Sequence, residues 1–238
     1  MQADAWWLTV PDDALAAVAG RLAAALPAAR PAGRPRPLAL HSSGLGSLRL
    51  LDPLRERGVR TLCLHPLQTF AGDPDPALLE AAHCAVTADD EDTLALGEEL
   101  ARRLGMAPFR LPDGGKARYH LAAVVGCNLR VALESEAKRL MDAATGDGDG
   151  LAHLAPLLRA TLANLLAGGD PARALTGPVA RGDVGTVRAH LRLLDREQPR
   201  LARTYRALSL EALALAAPRL DDETVRTLRA LFTGEARP

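Results

Sequence analysis

The stretch that most limits how this chain folds is Leu38 to Phe70, LALHSSGLGSLRLLDPLRERGVRTLCLHPLQTF. It reads as strand, polar glycine turn, helix, strand, polar turn. That spacing is the pattern of a parallel βαβ unit. Each strand ends in a histidine followed by polar residues: His41-Ser42-Ser43-Gly44 and His65-Pro66-Leu67-Gln68-Thr69-Phe70. Two such turns at the same ends of adjacent parallel strands form one site.

The rest of the first half extends this unit. Ala5 to Val10 is a short buried strand, and Asp12 and Asp13 open the helix that follows, with Asp12 as its cap. That helix runs from Ala14 to Leu26, with Leu15, Val18, Leu22 and Leu26 on one face, and Pro31 to Pro37 connect it to the next strand. Leu45 to Arg57 reads as a helix with Leu48, Leu51 and Leu54 inward and a kink or break at Pro53. Val59 to Leu64 is the third strand. After the loop Ala71 to Pro76 come a short helix, a strand at His83 to Thr87, a helix at Asp90 to Leu104 and a last strand at Met106 to Leu111.

At Pro112 the texture changes, and no later segment reads as a strand. Helices are expected near 117–144, 151–167, 184–197, 200–217 and 222–232. Residues 1–111 are therefore expected to form an α/β domain with a parallel sheet, and 112–238 an all-α domain.

Composition narrows the function classes. Lys and Arg together number 29, as do Asp and Glu, so formal net charge is zero. A nucleic-acid or anionic-membrane surface is not expected. The N-terminus lacks a basic region and does not read as a signal peptide. No apolar run approaches the roughly 20 residues that span a bilayer, so a soluble, cytoplasmic protein is expected. Cys63, Cys84 and Cys127 lack metal-ligand spacing and read as buried thiols in a reducing compartment. No metal site is expected.

Gly44-Leu45-Gly46 opens a helix after a strand, as a dinucleotide fingerprint would. Position 49 is Arg, however, where that fingerprint has its third glycine. A polar turn that presents Ser42, Ser43 and backbone amides to an anion or a substrate carboxylate is the better reading. In the long helix, His120, Val124 and Asn128 are spaced by four, so a polar stripe crosses an apolar helix. It serves either as glue between helices or as a polar face turned toward the α/β half.

Three strings, HSSGxxxxxxLxPLRxxGxxxxxLHPLQTF, KARYHxAAVxxxN and LTGPVARGDxxTVxxHL, resemble the Rossmann-like proteins that carry the DUF2520 domain. These are related to the 6-phosphogluconate dehydrogenase, ketopantoate reductase and pyrroline-5-carboxylate reductase group. The resemblance runs from about Ala3 to Ala217. It implies a truncated Rossmann-type parallel sheet followed by a helical domain like the C-terminal one of 6-phosphogluconate dehydrogenase. It also implies NADP- or NAD-dependent oxidoreduction of a small carbonyl, hydroxyl or imine substrate in a cleft between the domains, and a homodimer formed through the helical half.

By this resemblance Thr9, Val10 and Pro11 border the nicotinamide. Ser42, Ser43, Gly44, His65, Gln68 and Thr69 line the substrate pocket. His120 takes the position of the group's catalytic lysine and Asn128 that of its second asparagine, with Lys116 one turn earlier as the alternative base. Family members begin with a strand-GxGxxG-helix-strand unit of about 60 residues that has no counterpart here. Weak dinucleotide binding is therefore expected of this chain. The rival expectation is a non-catalytic binding or interaction protein that has lost the cofactor unit.

Overall fold

The structure, a computed structural model, describes residues 4–27, 35–73 and 75–235. Residues 31–34 of the expected connection and Pro74 of the expected loop lie outside them. The chain divides into two compact units, 1–131 and 132–238.

The first unit holds a five-stranded sheet in the order β1 (Ala5–Leu8), β2 (Leu38–His41), β3 (Arg60–Pro66), β4 (His83–Ala88), β5 (Ala107–Arg110). β1, β2 and β3 are mutually parallel, with Leu8 opposite His41 and His41 opposite Cys63. The β3–β4 pair is antiparallel, and β4–β5 is parallel again. The antiparallel step departs from the all-parallel expectation. Parallel neighbours need a crossover of a dozen or more residues, usually a helix. Between β3 and β4 the only regular element among the described residues is the 3-10 turn Pro76–Leu79.

Helix α1 (Leu15–Ala25) buries Leu15, Ala19 and Ala23, and packs Val18, Leu22 and Leu26 against Leu8, Leu51, Leu54 and Val59. The expected helix after β2 is broken. Ser47 caps a 3-10 turn, Leu48–Leu51, which leads into the four-residue α2 (Asp52–Arg55). Pro53 lies in the first turn of α2, where its missing N–H costs nothing. Leu48, Leu51 and Leu54 are buried as expected.

Helix α3 (Glu91–Arg103) is capped by Asp90 and lies on the second apolar cluster, which includes Leu40, Leu62, Leu64 and Val86. It comes closest at Gly97, where a Cβ would meet Leu62 Cδ1 at 2.6 Å and Val86 Cγ1 at 2.7 Å. Alanine favours a helix by about 1 kcal/mol over glycine, but overpacking a filled core costs about 1–3 kcal/mol, and the β-branched Val86 has little rotameric freedom to yield. Gly97→Ala is expected to lower unfolding free energy by about 1–2 kcal/mol. A urea midpoint that stays put or rises contradicts this packing.

Helix α4 (Lys116–Ala123) and a π-helical turn (Val124–Asn128) complete the first unit. Residues 112–131, past the change of texture near 112, are thus grouped with the sheet. The reason is local: Lys116 and Tyr119 of α4 bond to residues of the sheet and of the turn that follows β2.

The second unit is helical: most of α5 (Leu129–Thr145), then α6 (Gly150–Gly168), α7 (Pro171–Ala174), α8 (Gly177–Arg181), α9 (Val184–Glu197), α10 (Pro199–Ala216) and α11 (Asp222–Thr233). Its core joins Val179, Val187, Leu191, Leu213, Leu228 and Phe232. Asp183 caps α9, its Oδ1 accepting Thr186 N–H at 3.0 Å. Helix α6 is 19 residues long with mean hydropathy 1.2 and buries only Gly150. By length and composition alone it is long and apolar enough to cross a membrane, although it carries His153, Arg159 and Asn164.

Candidate functional site

In the first unit, β2 and β3 end side by side, and polar side chains gather there. The ends of parallel strands are where open α/β sheets place their ligands. His41, the last residue of β2, is fully buried, and its Nδ1 accepts the backbone N–H of Ser43 at 3.1 Å. That bond places the ring proton on Nε2, an atom that is buried and has no hydrogen-bond partner. Ser43 Oγ accepts Gly46 N–H at 2.7 Å and donates to Asp12 Oδ2 at 2.6 Å. Ser42 Oγ accepts Trp7 Nε1–H at 3.0 Å.

Lys116, at the start of α4, is 2% exposed. Its Nζ donates to Ser43 O and to Cys63 Sγ, each at 3.0 Å. A buried cation needs such partners to offset lost hydration. The 3-10 turn before α4 is fastened by Asp113, which accepts Ser47 Oγ–H at 2.5 Å and Leu48 N–H at 2.9 Å. One turn along α4, Tyr119 Oη and His65 Nδ1 are 2.6 Å apart. Lys116 and His120, four residues apart, share one face of α4.

Gly44 lies in the middle of this cluster. A Cβ there would meet His65 Nε2 at 2.7 Å and His120 Cδ2 at 2.8 Å. Only a glycine leaves both rings where they are.

Burial and charge set the protonation states. Burial, helped by the Lys116 charge, lowers His41 to a pKa of about 4. Burial, then Lys116 and His120, lowers His65 to about 4. Burial raises Tyr119 to about 12, so its hydroxyl keeps its proton. Burial also raises Cys63, against the pull of Lys116, so it is a thiol at neutral pH. The cluster is therefore two neutral imidazoles, a phenol, a thiol and a lysine, with His120 partly exposed beside them.

The structure thus brings Ser42, Ser43, Gly44, His65 and His120 together, as the sequence suggested. Asn128 does not join them: it is exposed and lies eight residues on, roughly 10 Å farther along the helix. Nor do Gln68 and Thr69, which are exposed. Gln68 Nε2 donates to Leu78 O at 3.1 Å and Gln68 Oε1 accepts Thr69 N–H at 2.9 Å, holding their own loop in place. Thr9 and Val10 line a separate depression of about 410 Å³ with Trp6, Trp7, Arg21 and Leu22, while Pro11 is exposed and precedes the turn that carries Asp12.

Asp12 is not a helix cap. No side-chain cap bond forms there, and its carboxylate goes to Ser43 instead. Sequence reasoning missed Cys63, Asp113 and Tyr119 and held Lys116 only in reserve. Lys116 did leave a trace: it is one of two lysines in a chain whose other basic residues are arginine.

The turn at Gly44-Leu45-Gly46 does not offer the open cradle that a pyrophosphate needs. Ser43 N–H and Gly46 N–H are already spent on His41 and Ser43. The spaces over Gly44 and Gly46 are filled by His65, His120, Leu50 and Ser43. With those two amides and both spaces taken, the turn lacks the open glycine cradle of a phosphate loop.

A parallel-dominated sheet followed by a helical unit is a Rossmann-type fold with a helical C-terminal domain, and solved structures share it. The chain is similar to the protein BF3122 of Bacteroides fragilis, described as a candidate NADP oxidoreductase, at 21% identity and TM-score 0.70, covering 89% of this chain and 76% of that one. It is similar to the protein TM1727 of Thermotoga maritima at 23% identity and TM-score 0.69, covering 89% and 78%. An imine reductase of Myxococcus stipitatus in complex with NADP+ matches at 14% identity and TM-score 0.54, covering 95% and 80%. No protein with a curated description matches the chain. Residues 82–212 match the family described as "Domain of unknown function (DUF2520)", and the chain belongs to that family.

Proposed function

We propose that this chain serves NADP- or NAD-dependent oxidoreduction of a small carbonyl, hydroxyl or imine compound in the cytoplasm, and that the cluster around Gly44 is the proton-handling side of its site. The observation that carries this reading is the convergence of His65 and His120 on Gly44 at the strand ends. When bound, a nicotinamide cofactor supplies or accepts a hydride. The protein's own part is to hold the substrate and move one proton. His120 serves as the acid for reduction and the base for oxidation. Neutral His65, paired with the phenol of Tyr119, offers a hydrogen bond to the substrate heteroatom. Lys116 and Asp12 hold the Ser42–Gly44 turn in place.

The pyrophosphate cradle is another matter. These 238 residues contain no GxGxxG turn, and the GxG they do contain is filled. The filled turn supports a second reading, a module that binds a small molecule without turnover. The test is to follow NADPH and NADH oxidation with a panel of small keto acids, aldehydes and cyclic imines. Oxidation that depends on the added compound supports the reductase reading. Binding of a panel member without oxidation supports the second.

We also propose that two copies associate through the helical unit. Helix α6 exposes Leu151, Leu157, Leu162, Leu165 and Leu166. The same unit carries an apolar groove of about 460 Å³ lined by Leu133, Leu140, Leu193, Leu201, Tyr205 and Leu208. Clustered exposed leucines of this kind support an association site, and a second copy brings both surfaces at once. Sedimentation is expected to give a dimer, and the pair Leu157→Glu and Leu166→Glu a monomer. A wild-type monomer contradicts this, as does recovery only with membranes.

A further inference from the structure

The mechanism leaves Cys63 unused, although its thiol is held against a lysine amine in a fully buried pocket. Cys63 is 0% exposed and Lys116 2%. Their reactive atoms are 3.0 Å apart, and both bond to the same carbonyl, Ser43 O, at 3.3 Å from Sγ and 3.0 Å from Nζ. We propose that Cys63 and Lys116 form a covalent cross-link, Sγ–O–Nζ, when the protein meets a hydroperoxide, so that the pair is a site of reversible oxidative modification.

The distance selects this product. A sulfur and a nitrogen joined through one oxygen sit about 2.7 Å apart, so the pair closes by only a few tenths of an ångström in a densely packed interior. A direct S–N bond of about 1.7 Å needs more than an ångström of approach, which such packing resists. Cys63 is free, joined to neither Cys84 nor Cys127.

The step balances with two equivalents of peroxide. The first gives one oxygen to Sγ: the S–H bond becomes S–O–H, sulfur is oxidised by two electrons, and the other peroxide oxygen leaves as water. Nζ, having released its ammonium proton to solvent, then bonds to the sulfenic oxygen as the N–H and O–H bonds break. The two electrons and two protons released reduce the second peroxide to two waters. In sum, R–SH, R′–NH2 and two H2O2 give R–S–O–NH–R′ and three H2O. A thiol reductant reverses the link and returns the thiol and the amine.

The link removes the positive charge of Lys116 and ties α4 to β3. It therefore connects oxidant exposure to the electrostatics of His41 and His65. This holds whether or not the chain is a reductase, because it needs only the resting geometry.

The test uses the full chain, treated with hydrogen peroxide, cleaved at arginine and read by mass spectrometry. Exposed Cys127 shows that the oxidant has acted. The expected product joins the peptides that hold Cys63 and Lys116, is about 14 Da heavier than their sum, and disappears after dithiothreitol. The same link is expected to be absent from Lys116→Arg, and its persistence there overturns the proposal. Unlinked Cys63 sulfinic acid in the wild-type chain overturns it too, as does a Cys63–Cys84 disulfide or a link about 2 Da lighter than the sum. Unmodified Cys63 where Cys127 is fully oxidised also overturns it.

Discussion

His120→Ala is expected to lower turnover by about 10²–10⁴-fold, the usual contribution of a general acid or base. The residue has the position the role demands. It is partly exposed, so it can exchange its proton with solvent, and it shares a helix face with Lys116. Its Cδ2 lies 2.8 Å from where a Cβ at Gly44 would stand, a position that His65 Nε2 also borders, at 2.7 Å. His65 cannot take over readily, because a ring with a pKa of about 4 is a poor proton carrier at neutral pH. Lys116 cannot either, since its Nζ is occupied by Ser43 O and Cys63 Sγ. The substitution removes no buried hydrogen bond, so the folded state is expected to survive it. The check is steady-state kinetics beside a thermal melt, in a form of the protein with demonstrated turnover. An unchanged kcat removes His120 from the mechanism.

The second large effect is acid sensitivity. An unfolded histidine titrates near 6.5, whereas His41 and His65 titrate near 4 in the folded protein. Between those values the unfolded chain binds more protons than the folded one, so stability falls as pH falls. The full stability is present above about pH 6.5, and the loss saturates once the pH is below the folded value of about 4. A shift of this size corresponds to about 3 kcal/mol for the buried His41 ring, and less for the part-exposed His65 ring. Urea unfolding at pH 7, 6, 5 and 4.5 is expected to show a steady loss through this window, above the range where most carboxylates titrate. Ring signals of both histidines are expected to stay neutral at pH 5.5. Titration of either ring near 6.5 contradicts the burial and the nearby charge assigned to it.

Most of the scaffold was legible because hydrophobic spacing is a local signal. The third strand, expected at 59–64 and found at 60–66, and the inward leucines at 48, 51 and 54 followed from residue order alone. The antiparallel entry of β4 was not legible by that route, since it depends on what the 67–82 connection lacks. The contacts of Lys116 and Tyr119 with the sheet were not legible either, because they join residues far apart in sequence. The site divided in the same way. His41, Ser42, Ser43, Gly44 and His65 stand next to strand ends and announce themselves. Asp12 was visible but misread, since an acid before a helix looks like a cap until Ser43, 31 residues away, claims its carboxylate. Cys63 looked like any apolar strand residue, and only the fold shows a lysine against it. Gln68 and Thr69 belong to a recognisable string, yet the chain leaves the sheet at Pro66 and carries them away from the cluster.

The central claim is that these residues hold the substrate and proton side of a nicotinamide-dependent site without a cradle for the cofactor's phosphates. It is tested most directly by titrating the 238-residue chain with NADPH alone and then with each member of the carbonyl and imine panel alone. Heat and the ring signals of His65 and His120 are followed together. The expected result is NADPH binding weaker than micromolar, together with at least one panel compound that shifts both ring signals. Micromolar NADPH binding with no compound able to move either ring contradicts the account on both counts.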